Sequence, residues 1–201
     1  MAHNLTQADK YIPQDLIELT HQTVTPEQFE ELCSEYRDLR LELTSTGELI
    51  VMPPTGSETG KRNSNLTYQL EAWARTDGSG ICFSSLAGFT LPNGAIRSPD
   101  ASWTKRDKWE LLTKEEKKGF SPMCPDFVVE VRSPSDSLSQ LRDKMVEYIE
   151  NGASLGWLID PDKRRVYVYQ SNCEPVVLVD PVTVSADPVL PGFTLDVTEL
   201  W

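Results

Sequence analysis

The sequence predicts a mixed α+β (α/β) fold: a central mixed sheet flanked by helices, with an N-terminal helix and hairpin added to it. Three observations predict this. Residues 125–160 read strand, helix, strand; residues 39–52 read as a hairpin; residues 57–74 read as a long amphipathic helix followed by short strands. A sheet built from such parts is covered on both sides, and the strand–helix–strand unit is a parallel crossover.

The central strand is Phe127-Val128-Val129-Glu130-Val131-Arg132, a β-branched run bounded by Pro125 and by Ser133-Pro134. Its faces alternate, so Phe127, Val129 and Val131 point one way and Val128, Glu130 and Arg132 the other. A carboxylate in such a strand is costly to bury without compensation. Two explanations of Glu130 stand side by side: a salt bridge to Arg132 or another base, and a metal ligand.

The following helix spans roughly 136–150. Ser135 or Asp136 caps it, Leu138, Leu141, Met145, Tyr148 and Ile149 form its apolar stripe, and Asn151-Gly152 ends it. Lys144 falls at the edge of that stripe. From there its stem can lie on the core and carry the ammonium towards the strand, although most boundary lysines simply reach for water.

The remaining elements follow in order. Residues 1–24 are polar, without a clear period, and are expected as an arm; residues 25–201 form one domain. Thr25-Pro26-Glu27-Gln28 is a capping box that starts a short helix. Leu39–Leu43 and Glu48–Met52 pair around Thr46-Gly47, and Pro53-Pro54-Thr55-Gly56 makes a rigid exit loop. Leu66, Leu70 and Trp73 mark the buried stripe of the long helix. Strands are expected at Ile81–Ser84, Gly88–Leu91 and Arg97–Trp103, then a charged surface excursion at Lys105–Lys118. After the central unit, Ser154–Asp160 and Arg165–Tyr169 form a hairpin, Pro175–Val179 one more strand, and Val189–Trp201 a closing segment.

The 201 residues suit one core, and the net charge of −12 argues against a broadly basic nucleic-acid-coating protein while leaving room for a small basic cleft. Cys33, Cys82, Cys124 and Cys173 lie far apart without knuckle spacing, and the two histidines, His3 and His21, are both near the N-terminus, which disfavours a zinc site. With no secretory signal core and no membrane-length apolar run, the expectation is a cytoplasmic protein with reduced thiols and no membrane partner.

Asp100, in Ser98-Pro99-Asp100-Ala101-Ser102-Trp103, is the second carboxylate of interest, although an aspartate after proline is also a common turn or cap. Asp126 is not a co-ligand of Glu130, because four residues along one strand span roughly 13 Å. Asp100 lies on another strand and could face Glu130. Two carboxylates at a sheet with a lysine from the adjacent helix make a hard, oxygen-rich site suited to Mg²⁺ or Mn²⁺. Such an ion polarises a phosphodiester, and the ammonium positions the nucleophile or offsets developing charge.

The layout resembles the PD-(D/E)xK nucleases. Gly47-Glu48-Leu49-Ile50-Val51-Met52-Pro53-Pro54-Thr55-Gly56, Ser98–Trp103 and Pro125–Ser135, extended by Asp143-Lys144 and by Gly152-Ala153 through Trp157–Pro161, resemble the Uma-two family of restriction-endonuclease-like proteins. The resemblance implies a restriction-endonuclease-like core with Asp100 and Glu130 as metal ligands. The lysine usual two residues after the glutamate is Arg132 here, which cannot serve as a base but can hold a phosphate. The resemblance implies that the catalytic lysine is Lys144. Glu58 is a candidate third acidic group for substrate or metal, against the plainer role of a carboxylate favoured at a helix N-terminus.

The expectation is therefore a DNA endonuclease dependent on Mg²⁺ or Mn²⁺, its nucleic acid held by few contacts from Lys61, Arg62, Arg132 and Lys144. The alternative is a catalytically weak, nuclease-like binding or regulatory module, which Arg132 and the acidic charge favour. A homodimer is left open as the assembly state.

Overall fold

The computed structural model describes residues 12–52 and 55–201. The first part of the expected arm and the Pro53-Pro54 part of the expected exit loop lie outside them. The rest of the arm differs from expectation. Helix α1 (Gln14–Leu19) occupies it and buries Leu16 completely. A helix of this length has too few apolar positions to raise a period in the sequence.

Helix α2 (Pro26–Glu35) starts at the expected capping box, with the Thr25 side chain accepting from Gln28 N and the Gln28 side chain accepting from Thr25 N. Strands β1 (Arg40–Leu43) and β2 (Leu49–Met52) form the expected antiparallel hairpin. Helix α3 (Ser57–Asp77) runs one turn beyond expectation and stops at Gly78, whose φ of 74° is the left-handed cap that glycine adopts freely.

The stretch expected as a single strand at 97–103 is two strands in two sheets. After β3 (Gly80–Ser84) and β4 (Phe89–Thr90) come β5 (Ile96–Arg97) and then β6 (Ala101–Lys105). The break falls at Ser98-Pro99, where proline offers no N–H to a ladder. Asp100 therefore sits at the point where the chain crosses from the small sheet to the large one. The charged excursion that follows holds helix α4 (Arg106–Glu110).

Strand β7 (Phe127–Val131), helix α5 (Leu138–Glu150) and strand β8 (Leu155–Asp160) are the expected central unit, with β7 and β8 parallel. The cap of α5 is Ser137 rather than Ser135 or Asp136, because Asp136 spends a carboxylate oxygen on Ser133 N at 2.7 Å. Strands β9 (Arg165–Gln170) and β10 (Val176–Val179) follow, and β11 (Thr183–Ser185) with β12 (Thr194–Asp196) forms a closing hairpin that the sequence did not reveal.

The large sheet has the order β10-β9-β8-β7-β6-β3 and is mixed, and the small one has the order β2-β1-β5-β4. The alternation of β7 decides what covers each face. Phe127, Val129 and Val131 pack with Leu66 and Leu70 of α3 and with Leu195 and Phe193 of the closing segment. Val128 points the other way, into a cluster with Met145 and Tyr148 of α5. Gly156 of β8 faces α5, and a Cβ there would stand 2.4 Å from Met145 Cε, so the end of that side chain would have to shift. A third cluster joins Leu16 and Phe29 to the hairpin through Leu41, Leu43 and Leu49.

Candidate active site

Strands β6 and β7 pair antiparallel with Ala101 opposite Val129, so one step further the register sets Asp100 beside Glu130. Both acids are buried, at 7% and 4% exposure. They line one cavity of about 630 Å³ together with Arg40, Glu58, Asp136 and Lys144. A more open groove of about 740 Å³ adjoins it, and Arg40, Met52 and Thr55 line both.

Lys144 reaches the site from α5. Its Nζ lies 2.7 Å from Glu130 Oε1, and the side chain is 11% exposed. Tyr148, four residues later on the same helix face, donates its hydroxyl to the same Oε1 at 3.0 Å. Glu130 Oε2 has no hydrogen-bond partner among the described residues. Burial pushes the Glu130 carboxyl up to about 7, with Lys144 opposing the rise and Asp100 and Glu42 adding to it. The Lys144 ammonium, which burial alone would pull down, is held above its ordinary range by Glu130 and Glu42. It is a cation and a donor, not a base.

Asp100 Oδ1 accepts from Arg40 Nη1 at 3.2 Å and Asn63 Nδ2 at 3.0 Å, and Oδ2 from the Val131 amide at 2.9 Å. A carboxylate oxygen has two acceptor directions, so Oδ2 keeps one open. Beside it, Asn63 Oδ1 and Arg40 Nε are buried without a hydrogen-bond partner.

Glu42 belongs to the site and the sequence did not reveal it. Alternation along Leu39–Leu43 puts residues 40 and 42 on the polar face of β1, which reads as a solvated one. The structure covers that face, leaving Glu42 1% exposed. Glu42 Oε1 accepts from Lys144 Nζ at 2.8 Å and Ser98 N at 2.9 Å, and Oε2 from Arg97 Nη1 at 3.2 Å. The only sequence signal for Tyr148 is its spacing of four from Lys144, since its place in the apolar stripe marks it as core.

Four further expected contributors, Arg132, Glu58, Arg62 and Lys61, are engaged in other pairings. Arg132 does not converge on Glu130. Strand β7 ends before it, and its guanidinium donates to Asp160 Oδ2 at 2.9 Å and the Asp136 carbonyl at 3.2 Å. Asp160 is 1% exposed and, without that partner, would be an uncompensated buried charge. Glu58 lies on the cavity rim with its side chain 77% exposed, paired with Arg62 at 2.9 Å. Arg62 itself is buried and also donates to the Leu200 carbonyl at 2.8 Å, so it is not a surface cation for phosphates. Lys61 is exposed and stands 3.7 Å from Glu199.

Among the described residues, no three His, Cys, Asp or Glu side chains gather as a metal-binding group. Mg²⁺ and Mn²⁺ sites in phosphoryl chemistry rely on one or two carboxylates plus waters and the substrate's own oxygens. Asp100 Oδ2 and Glu130 Oε2 meet that requirement. The donor set fits a hard divalent cation.

Residues 26–198 match the model of the Uma2 (Uma-two) family, described as "Putative restriction endonuclease". The chain belongs to this family. The fold has a solved counterpart in the crystal structure of "a putative nuclease belonging to DUF820" from Anabaena variabilis ATCC 29413. The two superpose with a TM-score of 0.67 at 22% identity, over 80% of this chain and 88% of that one. At that identity the likeness concerns the fold: a mixed sheet flanked by helices. No curated protein matches the sequence. No helix among the described residues is long and apolar enough to cross a membrane.

Proposed function

We propose that this protein is a nuclease that hydrolyses phosphodiester bonds, with DNA as substrate and Mg²⁺ or Mn²⁺ as cofactor. The observation that carries this reading is the meeting of Lys144 with Glu130, 2.7 Å apart, next to the register position of Asp100 and on one cavity wall. Family membership supports the reaction class.

Asp100 and Glu130 would hold the ion through their open oxygens. When bound, a divalent ion supplies positive charge to the phosphoryl oxygens and makes a neighbouring water more acidic. The chain's own groups do the rest. Tyr148 and Lys144 fix Glu130 through Oε1, which keeps Oε2 turned to its task. Asp100 is oriented by Arg40, Asn63 and the Val131 amide. The Lys144 ammonium has three N–H groups, two of which Glu42 and Glu130 occupy; the third can donate to the attacking water or to the phosphate. Held as a cation by its two carboxylates, Lys144 is suited to orient groups and offset charge.

The test is cleavage of supercoiled, single-stranded and branched DNA with Mg²⁺ or Mn²⁺, using Glu130→Ala as control, beside a calorimetric Mn²⁺ titration. Metal-dependent cleavage that Glu130→Ala abolishes is the expected result. A wild type inert on every form, or one that binds no Mn²⁺, ends the metal-dependent enzyme reading. Inert protein that still binds DNA would make it a binding module, the role to which Arg132, standing where the lysine is usual, lends weight.

A further inference from the structure

The proposed reaction gives Lys144 a task, yet one carboxylate does not fix an ammonium on a flexible four-carbon stem. A second contact exists, and it belongs to a built arrangement. Glu42 Oε1 lies 2.8 Å from Lys144 Nζ, and the Glu42 side chain is 2% exposed. Glu42 is itself held by Ser98 N and by Arg97 Nη1. Arg97 also donates to Glu147 Oε2 at 2.6 Å. Glu147 stands three residues after Lys144, on the same helix face.

Lys144, Glu42, Arg97 and Glu147 thus form a chain of alternating charge whose two ends lie on α5 and whose middle members come from β1 and β5. The contact serves both partners: with Arg97 and the Ser98 amide it offsets the buried Glu42 charge, and it ties the Lys144 ammonium to a carboxylate that those two groups hold in place.

We infer that Glu42 is a positioning residue: it holds the Lys144 ammonium against the cavity wall with one N–H free for substrate. The inference rests on the nuclease reading for its catalytic consequence, but the placement itself can be measured without catalysis.

Glu42→Gln tests it, because the amide keeps the volume and an oxygen acceptor for Ser98 N while losing the charge that grips the ammonium. In wild type, the ¹⁵N resonance of the Lys144 ammonium should be resolved and slow to exchange; in Glu42→Gln it should broaden or vanish. The kcat should fall about 10- to 100-fold while KM and Mn²⁺ affinity stay within about 3-fold. Glu42→Asp, which keeps the charge one methylene further back, should recover part of the loss and covers the case of a Gln variant that does not fold.

An unchanged kcat, or a loss carried entirely by KM, overturns the inference, as does an ammonium resonance that persists in Glu42→Gln. If wild type is inert, the nuclease reading fails separately, and the resonance alone still decides whether Glu42 holds the lysine.

Discussion

Strand β7 carries a buried acid near each end, and the two are treated differently. Just before the strand, Asp126 accepts from Thr104 Oγ1 at 2.8 Å and Lys105 N at 2.9 Å through Oδ2, and Lys108 Nζ lies 3.4 Å from Oδ1. At the other end, Glu130 has Tyr148 and Lys144 crowded on Oε1 and nothing on Oε2 among the described residues. Asp126 has protein donors at both oxygens and ties the β6–α4 turn to β7. Glu130 keeps an oxygen facing a cavity beside a second carboxylate. Burial and a nearby lysine are common to both, so neither feature marks a site. The open acceptor is what separates Glu130, the proposed metal ligand, from Asp126.

The largest effect is expected at Glu130. Glu130→Ala should lower metal-dependent cleavage by about 10³-fold, the scale of losing a main electrostatic contributor. Asp126→Asn should cleave like wild type but unfold more easily, by about 1–3 kcal/mol, because its amide cannot accept at both oxygens. Comparable loss of activity in both variants, at matched stability, would mean that the open oxygen is not what separates the two acids.

The next largest effect is expected at Lys144. Lys144 sits at the edge of the helix stripe, yet the structure puts it between two buried carboxylates. Lys144→Ala should therefore cost about 3–5 kcal/mol in a denaturant titration, as expected for stranding buried charge. Lys144→Met, which fills the space, should cost less while remaining as inactive. A Lys144→Ala protein as stable as wild type would contradict the buried pairing.

A smaller effect is expected at Arg132, just past the functional end of the strand. Arg132→Lys keeps the charge but gives up one of two contacts, to Asp160 or to the Asp136 carbonyl. The expected cost is about 1 kcal/mol, with cleavage within a few-fold of wild type. A gain in cleavage would show that a lysine here can join Glu130 after all.

The smallest effect is a pH dependence. Burial alone would raise the Glu42 carboxyl, but Lys144 and Arg97 more than offset it, and its pKa lies below the ordinary 4.5. A group lowered on folding stabilises fully above its unfolded pKa, and that contribution is lost as pH falls through the folded value. The stability gap between wild type and Glu42→Gln should thus be widest above about pH 5 and narrow below about pH 4. A gap independent of pH would mean that the Glu42 charge is not stabilised by folding.

The sequence by itself determined the central unit and the two acids. An apolar β-branched run, a helix with a clean stripe and a terminating Asn151-Gly152 are local signals, and local signals survive in sequence. Asp100 and Glu130 stood out because a carboxylate among apolar strand residues is anomalous wherever the chain goes. Membership of the Uma2 family was legible in the same motifs. What the tertiary structure alone decided is which polar faces are covered. Glu42 alternates with leucines like any solvated strand residue, and only the assembled fold buries it and brings Lys144 of α5 and Arg97 of β5 to it. Arg132 carries no mark in sequence that it would turn to Asp160, a residue brought beside it by a parallel pairing after a helix of intervening chain. The split of 97–103 between two sheets likewise depends on which strands arrive as neighbours. Burial of charge is a property of the assembled layers, and no window of the sequence contains both sides of them.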